Sequence, residues 1–358
     1  MDAIIKTFAP LAIKEVTAYL SKRSTSPTTE LAKAAAEGNT NVVKSILSQD
    51  HQIDLAPALV AASSAGKMEV LDILIDPPRL SRSGNSRHKE KIERTDVNVW
   101  SQHITPLIAA VQTHHVKTTE LLLDAGADTS IAPEGGETVL HIAARMGDLE
   151  MVKLLVEFEA DLEAREGWGN TPLLSASRWG HPHTIKFLLG KGADIEATDV
   201  KGSTALLLAC RHDCVEAVRV LINSGANVRV RDKKGRSALH RAIAGVDFIE
   251  GINAKVKEDM VRMLINAGAD PRVRDNEGKR PGDLVGFLRG GERVKRLLRP
   301  GSAPHSRERT PAHSRHGSRT GSPYVNGSRN SHDISRGARR DRNPSPLVGD
   351  MMDGYDRD

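Results

Sequence analysis

Aromatic side chains make up only 3% of the chain, five Phe, three Tyr and three Trp in 358 residues. That is too few to furnish one large globular core, where aromatics bury the most area per residue. Cysteine is scarcer still: two residues, Cys210 and Cys214, exclude a disulfide framework and fit a reducing compartment, cytoplasmic or nuclear. No apolar run approaches the roughly 18 residues that suggest a membrane span. The first stretch, "MDAIIKTFAPLAIKEVTAYL", is interrupted by Lys6, Pro10, Lys14 and Glu15, which argues against a secretory signal. Ile4, Phe8, Leu11, Val16 and Leu20 fall roughly on one helical face, so residues 1–28 are expected to supply a capping helix. Neither a phosphate-binding Gly-rich loop with its Lys, nor a nucleophile elbow, nor an HExxH pattern occurs, so the reading is non-enzymatic and without a cofactor.

What the chain has instead is a period. Thr105, Thr138, Thr171, Thr204 and Ser237 follow one another at steps of 33 residues, and a fixed step of this size marks a repeat array. A second landmark keeps the same step: "GAD" at Gly126, "EAD" at Glu159, "GAD" at Gly192 and "GAN" at Gly225. The last "GAD", at Gly268, comes 43 residues after Gly225 and implies an insertion near 245–256.

Each residue type in the unit has a mechanical reason. The Thr hydroxyl caps a first helix, and Pro106 or Pro172 after it suits a first turn whose N–H groups have no partner. Leu140, Ala143 and Ala144 form a narrow apolar face that lets neighbouring helices come close, and Gly147 supplies the left-handed residue that ends the helix. Val152, Leu154 and Leu155 continue at helical spacing as a second helix, followed by the GAD element and a turn such as "DVKG" or "DKKG". Asp199, Asp232 and Asp275 recur at one place in those turns, where they can accept from local backbone N–H groups.

The segments "ITPLIAA", "TVLHIAA", "NTPLLSA", "STALLLA" and "SALHRAI", each with its downstream Gly-Ala-Asp-like element, resemble ankyrin repeats. Two weaker units, "LAKAAAEGNTNVVKSIL" from Leu31 and "LVAASSAGKMEVLDILI" from Leu59, precede them. A degenerate closing unit, "KRPGDLVGFL", keeps the family's proline at Pro281 but has Gly282 where Leu is expected. The resemblance spans 29–299, about seven units plus a C-terminal cap. It implies an all-α ankyrin-repeat solenoid, expected to be monomeric, whose interior of Ala, Leu, Ile and Val is shared between neighbours. His114 and Asp213 stand where Gly ends the first helix in the family, and Val139, Ala205 and Ala238 replace Pro, so those turns are expected to be the least regular.

Two segments fall outside the period. Residues 77–98, "PPRLSRSGNSRHKEKIERTDVN", read as a basic surface insertion. Residues 300–358 are Ser, Arg, Gly and Pro with few large apolar side chains; they are expected to be disordered, with Thr310, Ser322 and Ser345, each before Pro, as candidate phosphorylation sites.

Groups that bear chemistry are few. "CRHDC" brings Cys210, His212 and Cys214 together, but Cys210 falls at a core-facing position and no metal site is expected. His181 and His183 of "HPH" read as solvated surface. The informative residues are those the repeat does not dictate. The resemblance implies that the two positions before the helix-ending Gly, and the loop tips, touch partners. The first are Arg145 and Met146, Arg178 and Trp179, Arg211 and His212; the tips carry Trp168 and Asn170, Lys201, then Lys233, Lys234 and Arg236. Trp and Arg dominate interface energetics. The expected ligand is therefore a protein with acidic and apolar or aromatic groups, held in the concave groove. The alternative is nucleic acid or another anionic surface, bound through the basic insertion and the Arg-rich tail; a net charge of only +5 and the lack of an RNA-binding motif weigh against it.

Overall fold

The computed structural model describes residues 26–49, 53–76, 95–244, 254–287 and 291–299. The expected N-terminal cap, residues 77–94 of the basic insertion, residues 245–253 of the second insertion and the tail with Thr310, Ser322 and Ser345 lie outside the described residues.

Helices follow in pairs: α1 (Pro27–Glu37) and α2 (Thr40–Gln49), α3 (Ala56–Ser64) and α4 (Met68–Ile75), α5 (Pro106–Gln112) and α6 (Val116–Asp124), α7 (Val139–Met146) and α8 (Leu149–Glu157). Then come α9 (Pro172–Trp179) and α10 (Pro182–Gly190), α11 (Ala205–Arg211) and α12 (Val215–Asn223), and α13 (Ala238–Ile243) with α14 (Ala254–Asn266). A 3-10 turn, Pro281–Phe287, and α15 (Glu292–Leu297) close the array, burying Val285, Val294 and Leu298. The first helices of successive pairs pack on one another as an inner row, and the second helices as an outer row. The described residues form no strand, only isolated bridges such as Thr198 with Thr204 and Arg231 with Ser237, which pinch the loops into hairpin-like tips. None of the described helices is long and apolar enough to cross a membrane.

The caps form as their sequences require. Thr105 and Thr171 accept from the backbone N–H of Ile108 and Leu174 at 3.3 and 3.4 Å. In the α7 and α13 units an imidazole joins the cap. Thr138 N–H donates to His141 Nδ1 at 3.3 Å, and Ser237 N–H donates to His240 Nδ1 at 3.2 Å. With Nδ1 accepting, the proton sits on Nε2, which donates to the carbonyls of Asn170 (2.9 Å) and Lys279 (3.0 Å) in the following loops. Burial pushes both imidazoles below their ordinary pKa.

The Gly-Ala-Asp landmark has two duties. Its Asp folds back on its own loop, as when Asp161 accepts from Glu163 N–H and Asp194 from Glu196 N–H, each at 2.9 Å. The residue two places on then reaches the next unit: Glu163 accepts from Asp194 N–H at 2.8 Å and Glu196 from Asn227 N–H at 2.7 Å. Residues 95–98 join this ladder, with Val97 buried and the Asn98 side chain accepting from Asp128 N–H at 2.8 Å. The segment read as an insertion over 77–98 therefore ends in a regular landmark, "TDVN", which its lack of Gly and Ala disguises. Asp199, Asp232 and Asp275 hold their turns as expected, each accepting from backbone N–H groups two or four residues ahead.

Turns between paired helices come in two kinds. Gly147 (φ 74°) and Gly180 (φ 74°) are left-handed and bare, and the residue just before the outer helix of the next unit lies on them: a Cβ on Gly147 would meet the His181 ring and one on Gly180 would meet Cys214 Sγ at 2.7 Å. His181 is accordingly not the solvated side chain its sequence context suggests. Its Nε2 donates to the Arg145 carbonyl at 2.8 Å, and burial lowers its pKa. His183 is exposed. His114 (φ 61°) and Asp213 (φ 58°) adopt the same left-handed backbone without being glycine. Each reaches the next unit with its side chain instead, His114 Nδ1 to Asp148 Oδ2 at 2.9 Å and Asp213 Oδ1 to Lys257 Nζ at 2.6 Å.

Candidate interaction surface

The inner helices α7, α9 and α11 end on one side of the array, and the residues before their terminal turns line that edge. Arg178 and Trp179, the last two residues of α9, are both exposed, the indole at 39%. Trp168 stands at the tip of the loop entering the same unit and is 56% exposed. Val200, on the neighbouring tip, donates its N–H to the Trp168 carbonyl at 3.0 Å and is itself exposed. One unit thus carries two accessible indoles and a guanidinium, with an aliphatic side chain on the adjoining tip.

The other arginines differ in kind. Arg145 is half-buried, and its Nε donates to Glu137 Oε1 at 2.8 Å, so this guanidinium already holds a carboxylate. Met146 is partly buried against the core. Arg211 and His212 end α11 half-buried. Lys201, Lys233 and Lys234 are exposed on successive tips, while Arg236 lies 3.9 Å from Glu277. Asn170 does not belong with them. Its side chain is buried, its Nδ2 donates to Glu166 Oε1, and its carbonyl receives His141. A loop that closes on itself needs that amide inside, which removes Asn170 from any partner-contacting set.

Burial pushes the His212 imidazole down to about 4, helped by Arg178, Arg211 and Arg241 around it. Arg241, on α13, is a buried guanidinium paired with Asp232, whose other carboxylate oxygen holds the Arg236 N–H. The sequence did carry a sign of it: a charge at the register position held elsewhere by Ile142, Ser175 and Leu208. Cys210 is fully buried, and burial drives its thiol pKa strongly upward. Cys214 packs over Gly180, and burial raises its pKa to about 11. Such thiols are protonated and weakly nucleophilic at neutral pH. Among the described residues no group of three or more His, Cys, Asp or Glu has a metal-holding arrangement.

The family model for ankyrin repeats matches in three copies, over residues 31–133, 129–199 and 196–275. Among curated proteins, no relative matches the sequence. The solved structures similar to this chain include the ankyrin repeat domain of Bcl-3, described as a unique member of the IkappaB protein family. It is 25% identical, with a TM-score of 0.50, covering 76% of this chain and 98% of that one.

Proposed function

Because the chain belongs to the ankyrin-repeat family, we propose that it works without enzymatic activity, as an adaptor or scaffold that holds a protein partner in its groove. Ankyrin repeats are in general protein–protein interaction modules, and the partner suggested here is a segment with acidic and apolar or aromatic side chains. The observation that carries this reading is the exposure of Trp179 and Trp168 beside Arg178 within one unit. Exposed indoles contribute little to the fold, whereas Trp and Arg are the residues most enriched at binding hot spots. Lys201, Lys233 and Lys234 on the following tips extend the surface toward positive charge and favour carboxylates. The proposal places the protein in the cytoplasm or nucleus as a monomer, with Thr310, Ser322 and Ser345 as phosphorylation sites that tune partner affinity.

The test is capture of partner by the full chain, followed by titration of wild type and Trp179→Ala. A loss of more than about 2 kcal/mol in affinity is expected, with the melting temperature unchanged. A variant that loses stability yet keeps its partner refutes the assignment. Partner affinity that does not change on phosphorylation refutes the role given to the tail. Nucleic acid is the competing ligand, and its support lies in the basic insertion and tail. A steep salt dependence of binding to mixed nucleic acid would favour it.

A further inference from the structure

The loops that run from the outer helices to the tips change sign along the array. Residues 161–170 carry three acids, Asp161, Glu163 and Glu166, against one cation, and residues 194–203 carry Asp194, Glu196 and Asp199 against one. Over residues 227–236 five cations face one acid, Asp232, and that acid is already held by Arg241. The reversal sits at a fixed register. Two residues past the landmark, Glu163 and Glu196 give way to Arg229 and Arg272; two further on stand Arg231 and Arg274. Resting on the groove-binding reading above, we propose that Arg229, Arg231, Arg272 and Arg274 form a platform for a run of Asp and Glu in the partner's segment, displaced along the array from the residue held at Trp168.

The four arginines come from two neighbouring units, and backbone carbonyls hold three of them in place. Arg231 Nε donates to the Gly235 carbonyl at 2.8 Å and its Nη2 to the Arg274 carbonyl of the next unit at 2.6 Å. Arg274 Nη1 donates to the Gly278 carbonyl at 2.6 Å, and Arg229 Nε reaches across to the Gly268 carbonyl at 3.4 Å. All four residues are exposed, and none forms an ion pair among the described residues. The nearby carboxylates are engaged elsewhere: Asp270 and Asp275 accept from backbone N–H groups, and Glu277 pairs with Lys279 at 2.8 Å. A carbonyl takes one of a guanidinium's five N–H donors and cancels none of its charge, so like charges remain crowded with donors to spare. Side chains already tethered lose less freedom on binding, which separates this platform from a merely solvated run of charge.

The platform is continuous with the aromatic surface. Val200 N–H donates to the Trp168 carbonyl, Lys233 N–H to the Lys201 carbonyl and Asn276 N–H to the Lys234 carbonyl, each at 3.0 Å, so the tips run unbroken from the indole to both arginine-bearing units. Helices in contact pack about 8–10 Å apart, and two to three units therefore span about 20–30 Å, or about six to nine residues of extended chain. The occupant must also suit the acidic loops that lie between. Nucleic acid, charged at every residue, would meet the carboxylates of residues 161–166 and 194–199 on its way toward Trp168, and no aromatic side chain in 227–236 or 270–280 offers a base something to stack on. A polypeptide can gather its acids over the arginines and bring apolar residues to the indole.

The experiment pans the full chain against a displayed peptide library with a fixed Trp-Leu pair and a randomised stretch on either side. A run of Asp and Glu on one side of the pair, about six to nine residues from it, is expected. The best peptide should bind about tenfold more weakly to the chain carrying both Arg229→Gln and Arg272→Gln, with the melting temperature unchanged. Arg229→Glu together with Arg272→Glu should turn the selection from Asp and Glu to Lys and Arg, an inversion that a purely structural role for these side chains does not produce. The Arg272 side chain makes no hydrogen bond among the described residues, so Arg272→Gln alone, expected to weaken binding about threefold, decides the matter should a double variant fold poorly. If apolar residues are selected in a Trp179-dependent way with no acidic run, or if the acidic run is kept by the charge-reversed chain, the platform is refuted and the groove reading stands. If the library yields no selection, both fail. A mixed-sequence DNA duplex that displaces the peptide and is weakened equally by Arg272→Gln overturns the choice of partner. A dimer of the full chain that dissociates on the same substitution assigns the arginines to a second copy and overturns it as well.

Discussion

Replacing Asp213 by Gly sets two effects of opposite sign against each other at one position. The family's usual residue there is Gly, and Asp213 has φ 58°, a left-handed conformation that costs an L residue about 1–2 kcal/mol. Asp213→Gly removes that cost. It also removes the carboxylate 2.6 Å from Lys257 Nζ, in a pair whose side chains are 7% and 5% exposed. Breaking a buried pair on one side costs about 3–5 kcal/mol, because a charge is left without its partner in a poor solvent. The second effect wins, and a net loss of about 2–3 kcal/mol is expected. Lys257→Met strands the carboxylate and gains nothing in the backbone, so it should cost about 3–5 kcal/mol. The double variant, Gly with Met, is expected at or above wild-type stability, since an apolar replacement of a buried pair is often neutral or better. Repeat arrays can unfold in parts. The assay is therefore amide hydrogen exchange in α12 and α14, with α3 as internal reference, alongside urea titration. Asp213→Gly as stable as wild type, or a double variant as weak as Lys257→Met, would refute the reasoning.

Gly147→Ala and Gly126→Ala both place a side chain at positive φ, but a Cβ on Gly147 meets His181 while one on Gly126 meets nothing within 4 Å. Thermal melts should show about 1 kcal/mol lost at Gly126 and a further 1–3 kcal/mol at Gly147; equal losses would mean that the His181 contact is slack. Acidification should weaken the array. His141, His181, His212 and His240 all have folded pKa values below the unfolded value of about 6.5, so the unfolded chain takes up protons first. Their contribution is complete above about pH 6.5 and is lost as the pH falls through 6.5 toward 4, with His212 alone amounting to about 2 kcal/mol at pH 5. Melts between pH 7.5 and 5 test this, and a flat profile in that window would show that the imidazoles are not held neutral.

The repeat, its helix pairs and its caps were legible because they are local: a Thr and the N–H three residues on, or an Asp and the N–H two residues on, sit in one stretch of sequence. What bridges units was harder to read. The His181 to Arg145 hydrogen bond spans 36 residues and the Asp213 to Lys257 pair spans 44. A period shows that neighbours touch, but not which side chain crosses. His114 and Asp213 looked like irregularities when judged against glycine, yet they keep the glycine backbone and replace a bare surface with a polar bridge. Asn170 was misplaced for a related reason: polar residues on a loop tip look solvent-facing until the loop's own unpaired groups are counted.

The imidazole clamps are not uniform along the array. His141 ties down the loop that carries Trp168 and His240 ties down the 275–279 loop, whereas Leu174 stands at the equivalent position behind the loop of Lys201; behind the loop of Lys233 and Lys234 that position is Leu207, and the buried Arg241 holds the loop instead through Asp232. The Asn170 carbonyl accepts from both Glu166 N–H and His141, while the matching Ser203 and Arg236 carbonyls accept only their own turn's N–H among the backbone bonds. Ordering a loop on binding costs conformational entropy, and a loop already fixed from behind has less left to lose. The aromatic tip and the Lys233–Lys234 tip are thus the stiff fingers of the hand, and the Lys201 tip is the more compliant one. A partner would be gripped first at a rigid hydrophobic point, with the Lys201 finger between the two stiff ones adjusting to the acidic groups it brings.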